Sequence, residues 1–130
     1  MALALGITAG CGAPDGGEGT HLRMALPPDA VYLGAEAEAL DAEIIRITAR
    51  MQGARDDRDV RDYALCALAG YADARGHAFA RHLRTTVDKT GGVWQADAVY
   101  TISPAIPQGV RTIDVEAQLG ACVETGIPQL

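Results

Sequence analysis

Three cysteines are the residues of this chain with the clearest chemistry. The first of them, Cys11, ends the sequence Thr8-Ala9-Gly10-Cys11, which follows an apolar run that begins at Met1. Small residues directly before a cysteine are typical of bacterial lipoprotein leaders, in which that cysteine carries the lipid. The pattern predicts export, removal of residues 1–10 as the remnant of a signal peptide, and lipidation of Cys11.

Two features depart from this pattern, and one supports it. Thr8 stands where Leu is usual, and no Lys or Arg precedes the apolar run. The alternative is an Ala-rich N-terminus with an incidental cysteine. The glycine-rich stretch Gly12–Gly19 is a flexible, polar tether, which favours export. Gly12, rather than Asp, after the cysteine favours delivery to the outer membrane.

Cys66 and Cys122 form the remaining pair, and two interpretations stay open for them. In an oxidising periplasm two such cysteines can form a disulfide, which would close a loop of 56 residues from 66 to 122. In a reducing compartment they would be separate buried thiols. Cys66 lies in an apolar helical setting, which disfavours a thiolate nucleophile.

Other reactive residues are sparse, and the sequence predicts no catalytic site, metal site or cofactor. Ser103 is the only serine and precedes Pro104, as turn residues do. His77 and His82 are expected on opposite faces of a strand, so they would not chelate a metal together. An enzyme would require a pocket that gathers one of these histidines with Asp97 or Arg81.

Charge and length exclude several other function classes. The 130 residues fit one domain, and the net charge of −6 disfavours binding to nucleic acid or to an anionic membrane surface. No segment contains the roughly 20 apolar residues that cross a bilayer. Any contact with a membrane is therefore expected through acyl chains on the N-terminal cysteine.

Local patterns predict most of the secondary structure. Alternation of apolar and polar residues predicts a strand at 43–52 that ends at Gly53, and residues 77–103 read as a β-hairpin. A charged cluster with Asp56 or Asp57 as cap begins a helix at 57–75, which Gly76 ends. Residues 31–40 suit an edge strand and a short helix equally well.

Finer predictions concern which side chains face the core. Phe79, Leu83 and Val87 are predicted to share one face of the first hairpin strand. Asp114 is predicted to cap a second helix that ends at Gly126. The apolar stripe of that helix is predicted to comprise four residues, Val115, Leu119, Cys122 and Val123.

These elements predict an α+β fold, a two-layer sandwich in which a small three- or four-stranded sheet carries two helices on one face. The order is strand, helix, strand, strand, helix. Residues 11–29 are assigned to the lipidated cysteine and its tether, disordered to about residue 28. Residues 30–130 form the single domain.

In the order of its elements and in two short sequence motifs, the chain resembles a group of small uncharacterised bacterial lipoproteins. The motifs are Asp62-Tyr63-Ala64-Leu65 at a helix start and Gly126-Ile127-Pro128 after a final helix that contains a cysteine. The resemblance covers residues 44–128. It implies an envelope location and a compact domain, and it implies no activity.

The function predicted from the sequence is that of a non-catalytic outer-membrane lipoprotein facing the periplasm, a binding or interaction module for an unknown protein or small molecule. An apolar patch around Trp94 and Tyr100, on the sheet face away from the helices, would support it. The alternatives are a small periplasmic Asp/His hydrolase and a cytosolic regulatory α/β module.

Overall fold

The computed structural model describes residues 22–23, 25–105 and 112–130. Within them the chain forms an antiparallel sheet and two helices, so the α+β class is confirmed. The elements in chain order are β1 (Val31–Ala39), β2 (Ile44–Gln52), α1 (Asp57–Ala74), β3 (Phe79–Thr90), β4 (Val93–Ser103), β5 (Thr112–Asp114) and α2 (Val115–Thr125).

The sheet has five strands in the order β1-β2-β4-β3-β5, so the prediction of three or four strands is wrong. Residues 31–39 form an edge strand because their Ala and Glu residues alternate against β2, with Ala37 opposite Ile47. The fifth strand, Thr112–Asp114, pairs with the first three residues of β3. Three residues carry too little periodicity to be recognised as a strand.

One face of the sheet packs against α1 and forms the core. Antiparallel partners share a face, and the residues of β2 that face α1 lie opposite those of β4 that do so. These pairs are Ile45 with Tyr100, Ile47 with Ala98, Ala49 with Ala96 and Met51 with Trp94. The core consists mainly of small and branched aliphatic side chains, as the low aromatic content requires.

The two strands of the hairpin are joined by a turn of two glycines. Gly91 and Gly92 have φ angles of 57° and 83°, the left-handed conformation that tight hairpin turns require. β3 therefore continues to Thr90, directly before the two glycines.

A register shift at Leu83 changes which side chains of β3 face α1. Val87 lies opposite the buried Ala96, whereas Phe79 lies opposite Ser103 on the other face, and Leu83 is 48% exposed. The prediction that these three residues share a face is wrong because a bulge inserts one residue and reverses the alternation.

The helix boundaries agree closely with the sequence prediction. Asp56 caps α1 by accepting a hydrogen bond from the backbone N–H of Arg58. Asp114 caps α2 in the same way through Ala117, and Gly126 ends α2 with a φ of 94°. α1 contacts strands β1 to β4, while α2 packs against α1 and β5.

The buried stripe of α2 differs from the predicted one. Val115 and Cys122 are buried as expected, but Val123 is 62% exposed and Gln118 is fully buried. The buried stripe therefore includes the polar Gln118 and leaves out Val123.

Residues before β1 pack against the domain. Leu22 and Leu26 contact the core and Pro27 is buried. The segment that was predicted as tether to residue 29 is therefore packed from Leu22 onward in its described part. The predicted leader and residues 11–21 of the tether lie outside the described residues.

The second face of the sheet is mainly polar, although Ile44, Val93 and Val99 also lie on it. Its β2 and β4 side chains include Arg46, Thr48, Arg50, Gln95, Asp97 and Thr101. Trp94 and Tyr100 both lie on the α1 side, and Tyr100 is only 3% exposed. The apolar patch that would have supported an interaction module is therefore not at these two residues.

Candidate functional site

The residues with predicted chemistry lie in separate parts of the molecule. Cys11, the predicted lipidation site, lies outside the described residues. Ser103 forms a turn, because its Oγ donates to the carbonyl of Ala105 at 2.8 Å and accepts from the backbone N–H of that residue. Ser103 is the last residue of β4, so these hydrogen bonds lie where the strand ends.

Histidine and aspartate do not meet on the sheet. Asp97 lies on the polar face, where it accepts a hydrogen bond from Thr48 Oγ1 at 3.0 Å. His82 lies on the α1 side, 5.4 Å from Tyr100 between ring centroids, and its Nε2 is 2.7 Å from Thr85 Oγ1. Burial lowers the pKa of His82, and the nearby charge of Arg61 adds to that effect. The sheet itself separates the two side chains.

His77 precedes β3, and its backbone N–H donates to the carbonyl of Ala72. Its Nδ1 is buried and has no hydrogen-bond partner among the described residues. Among the described residues, no hydrogen bond or ion pair joins either histidine to a carboxylate. In the part of the chain that the structure describes, no group of three His, Cys, Asp or Glu side chains could hold a metal ion.

Cys66 and Cys122 form a disulfide between α1 and α2. Both residues are fully buried, and their Cα atoms lie 5.8 Å apart. Gln118 Nε2 lies 3.8 Å from the sulfur of Cys122, one turn further along α2. Of the two interpretations that the sequence left open, the structure has the bridge.

The densest cluster of charged groups lies at the N-terminal end of α1 and was not recognised from the sequence as a site. Asp59 is 4% exposed and accepts from both the backbone N–H and the guanidinium of Arg55. Arg23 approaches it from the segment before β1, with Nη1 at 3.2 Å from Asp59 Oδ1 and Nη2 at 2.7 Å from Asp56 Oδ2. We call Arg23, Arg55, Asp56, Asp59 and Asp62 the helix-start cluster.

The pKa values of the two buried carboxylates of the helix-start cluster, Asp59 and Asp62, are shifted in opposite directions. Burial opposes ionisation of Asp59, but hydrogen bonds from Arg55 and the charge of Arg23 outweigh it, so the pKa of Asp59 lies below its ordinary value. Burial raises the pKa of Asp62 to about 6, and it outweighs the lowering effect of the hydrogen bond that Asp62 accepts from the Arg23 backbone N–H at 3.5 Å. Asp62 can therefore exchange a proton near neutral pH.

Two tyrosines lie next to this cluster. The rings of Tyr32 and Tyr63 meet edge to face with centroids 4.8 Å apart. Burial raises the pKa of both hydroxyls, so both remain neutral at ordinary pH. A cleft beside Tyr32, Asp59 and Asp62 is covered by residues 25–27 and by the end of α2.

The contacts of the helix-start cluster indicate a structural role, in which it joins α1 to the segment before β1. Arg55 Nη2 donates to the carbonyl of Ala25, so a second arginine also fastens the segment before β1. Arg23 and Asp59 are 36 residues apart in sequence, which is why no local spacing revealed them. The acidic run at 56–59 was predicted as a helix cap, and Asp56 is that cap.

No helix among residues 22–23, 25–105 and 112–130 has the length and apolar character needed to cross a membrane.

Comparison with known proteins identifies relatives for most of the domain. The sequence model of a family described as the YNQ4 C-terminal domain matches residues 32–126, from β1 to the end of α2. A relative from Paracoccus denitrificans, named "Uncharacterized 26.9 kDa protein in nqo8 5'region", is 35% identical over 103 residues. That match covers 75% of this chain and 40% of the relative, so the chain spans about two-fifths of the relative's length. No solved structure matches. Because the family model covers both helices and all five strands, the chain belongs to the YNQ4 C-terminal domain family.

Proposed function

We propose that this protein is a non-catalytic envelope lipoprotein, a binding or interaction module that acyl chains on Cys11 hold at the periplasmic side of the outer membrane. The observation that carries the proposal is the disulfide between Cys66 and Cys122. Disulfides form and persist in oxidising compartments such as the bacterial periplasm and are rare in the cytosol. An oxidising compartment is one that an exported lipoprotein reaches.

The surroundings of the bridge strengthen this argument. Both cysteines are fully buried between α1 and α2. A thiol or reductase must reach a sulfur atom before it can exchange, so reduction requires the helices to separate first. The bridge is therefore suited to a permanent structural role, and it is not suited to a rapid redox cycle.

The arrangement of polar side chains supports the non-catalytic part of the proposal. His82 and Asp97 lie on opposite faces of the sheet. Asp59 is occupied by two arginines of its own chain, and Asp62 is covered by the segment that Arg23 fastens. A hydrolase would need one of these carboxylates to face a substrate.

Metabolic labelling with a fatty-acid analogue tests the lipid anchor. The full gene product should take up label in a bacterial host with a lipoprotein pathway, and Cys11→Ala should take up none. The double variant Cys66→Ala/Cys122→Ala is the matched control and should retain the label, because it leaves Cys11 in place. Absence of label from the wild type, or label that persists in Cys11→Ala, would refute the proposal.

Thiol titration under denaturing, non-reducing conditions tests the compartment. Protein purified from the envelope should contain no free thiol, because Cys11 is alkylated and the other two cysteines are bridged. Protein found in the cytosol with three free thiols would contradict the proposal and favour the cytosolic regulatory module.

A further inference from the structure

The two edges of the sheet differ in how they are covered. β1 forms one edge, and β3 forms the other beyond the short strand β5. β5 pairs only with Phe79–Arg81, so among the described residues no strand other than β4 pairs with the rest of β3, from His82 to Thr90. Unpaired backbone N–H and C=O groups of such an edge can accept another strand.

The part of β3 beyond β5, Arg84–Thr90, has a composition that favours pairing with a further strand. After the bulge at Leu83, residues Arg84–Thr90 pair with β4 without further irregularity, so this part of the edge is regular. It contains Thr85, Thr86 and Val87, which are β-branched and favour strands. Arg84, Thr86 and Asp88 are exposed and lie on the polar face of the sheet.

We propose that the part of the β3 edge that no described strand covers, from Leu83 to Lys89, pairs with the same part of a second copy of this chain, antiparallel and with the two-fold axis at Thr86. In this register Arg84 lies opposite Asp88 of the second copy, and by symmetry Asp88 lies opposite Arg84. The edge is therefore complementary to itself in charge, and such isologous contacts form closed dimers. Opposite charges directly across a strand pair stabilise the pairing.

The helix-facing side of the same edge also gains from this arrangement. Val87 and Trp94 are partly buried hydrophobic residues that pack against the core near the hairpin tip. The register places Thr85 of the second copy beside Val87, and this contact covers apolar surface that the single chain leaves partly exposed. Lys89, whose Nζ is 5.0 Å from the Trp94 ring centroid, lies opposite Leu83 of the second copy.

The β1 edge does not have this property. Its exposed charges on the polar face are Glu36 and Glu38, of which Glu38 is paired with Arg46 of β2. Antiparallel pairing of β1 with itself around residue 37 would place Glu36 of each copy opposite Glu38 of the other. Like charges directly across a strand pair are destabilising. The register of β1 is also irregular between Tyr32 and Gly34. Charge therefore favours self-association through β3 and opposes it through β1.

Charge reversal tests the proposed register in solution. With Cys11→Ala as background, to prevent accidental cross-linking, sedimentation equilibrium should show a dimer. Arg84→Asp and Asp88→Arg should each raise the dimer dissociation constant about tenfold or more, because each reverses two symmetric pairs. The double variant Arg84→Asp/Asp88→Arg should restore the wild-type constant. Glu36→Arg is the control on the β1 edge and should leave it unchanged.

Site-specific cross-linking supplies a second measurement that does not depend on charge. Thr86 is the one position that lies opposite itself, so Thr86→Cys should give a covalent dimer with a short thiol cross-linker. Glu36→Cys, equally exposed on the other edge, should remain monomeric. A wild type that is monomeric at all accessible concentrations overturns the proposal. A dimer that cross-links through Glu36→Cys, or that is not restored by the charge swap, also overturns it.

Discussion

The two sides of α1 are held by different kinds of interaction. The side toward the sheet contributes Val60, Ala64, Ala67 and Leu68, all fully buried against the apolar residues of β2 and β4. The other side carries Asp59, Cys66 and Gly70, which contact Arg23, Cys122 and the C-terminal residues, respectively. Packing on the sheet is apolar and non-directional, whereas the far side depends on a few specific contacts between remote segments.

This difference indicates at which positions a substitution should have the largest effect on stability. Apolar packing tolerates substitutions that preserve volume, because the hydrophobic effect depends mainly on buried area. A disulfide, an ion pair or a close backbone approach is lost completely when one partner changes. A Cβ at Gly70, for example, would overlap the backbone oxygen of Leu130. We therefore expect large effects from few positions on the far side.

The largest effect is expected for the disulfide. Cys66→Ala/Cys122→Ala opens a loop that spans 56 residues, and the chain-entropy relation gives a loss of about 4 kcal/mol in the free energy of unfolding. Urea unfolding under non-reducing conditions measures it. Cys11→Ala is the control and should unfold like the wild type. A loss below about 1 kcal/mol would show that the far side is held by its other contacts.

On the sheet side, Ile47→Ala should lower the free energy of unfolding by about 3 kcal/mol, because the side chain is fully buried between α1 and the centre of the sheet. Val123→Ala, at a 62% exposed position of α2, should change it by less than about 0.5 kcal/mol. The shift of each variant's urea midpoint from the wild-type midpoint tests whether apolar burial dominates this side. Similar values for both variants would contradict that interpretation.

The helix-start cluster should respond to Asp59→Asn with a loss of about 2 kcal/mol, because charge-assisted hydrogen bonds to Arg55 and Arg23 are weakened in a buried position. Hydrogen exchange should also accelerate in residues 22–27, which these arginines fasten. The control is Asp57→Asn, an exposed partner of Arg61, for which we expect less than about 0.5 kcal/mol. Unchanged exchange in residues 22–27 would show that the segment is held by its apolar contacts alone.

The smallest effect is expected at Asp62, and it depends on pH. The pKa of Asp62 is raised from 3.8 to about 6 in the folded protein. The folded state thus binds the proton more tightly than the unfolded state. This carboxyl therefore stabilises the fold fully below about pH 4, and its contribution is lost as pH rises through about 6.

Asp62→Asn removes this dependence. At about pH 8 the variant should be more stable than the wild type by about 1 kcal/mol, below the limit that the shift alone sets because a buried amide also loses water. Near pH 4, where the wild-type carboxyl is protonated, the same cost of burying the amide should make the variant less stable than the wild type by about 1 kcal/mol. Asp73→Asn, an exposed carboxyl on the same helix, is the control. A variant that is less stable than the wild type at about pH 8 would show that the ionised carboxylate is needed.

The sequence predicted the parts of the fold that local patterns encode. Both helices were located to within a residue or two because Asp56 and Asp114 cap them and glycine follows each. Strand β2 and the hairpin were recognised by alternation. These signals lie within a few residues of the elements they define.

The parts that were missed depend on distant partners. β5 exists because the start of β3 offers it an edge, and the bulge at Leu83 reverses the faces of β3 without a residue type that reveals it. Arg23 acquires its role only when Asp59 is brought beside it. Cys66 and Cys122 could be weighed as a pair, but only the approach of α2 to α1 decides that they meet.

The bridge between Cys66 and Cys122 also determines how the molecule transmits mechanical tension. When the chain is pulled from its two ends, force passes along residues before Cys66, crosses the sulfur atoms, and leaves through the residues after Cys122. β3, β4 and β5 lie inside the closed ring and carry no tension along the backbone. Under force, β1 and β2 would unfold, and extension would then stop at the bridge. The fully extended molecule would therefore be shorter than a reduced chain by the length of the residues between Cys66 and Cys122.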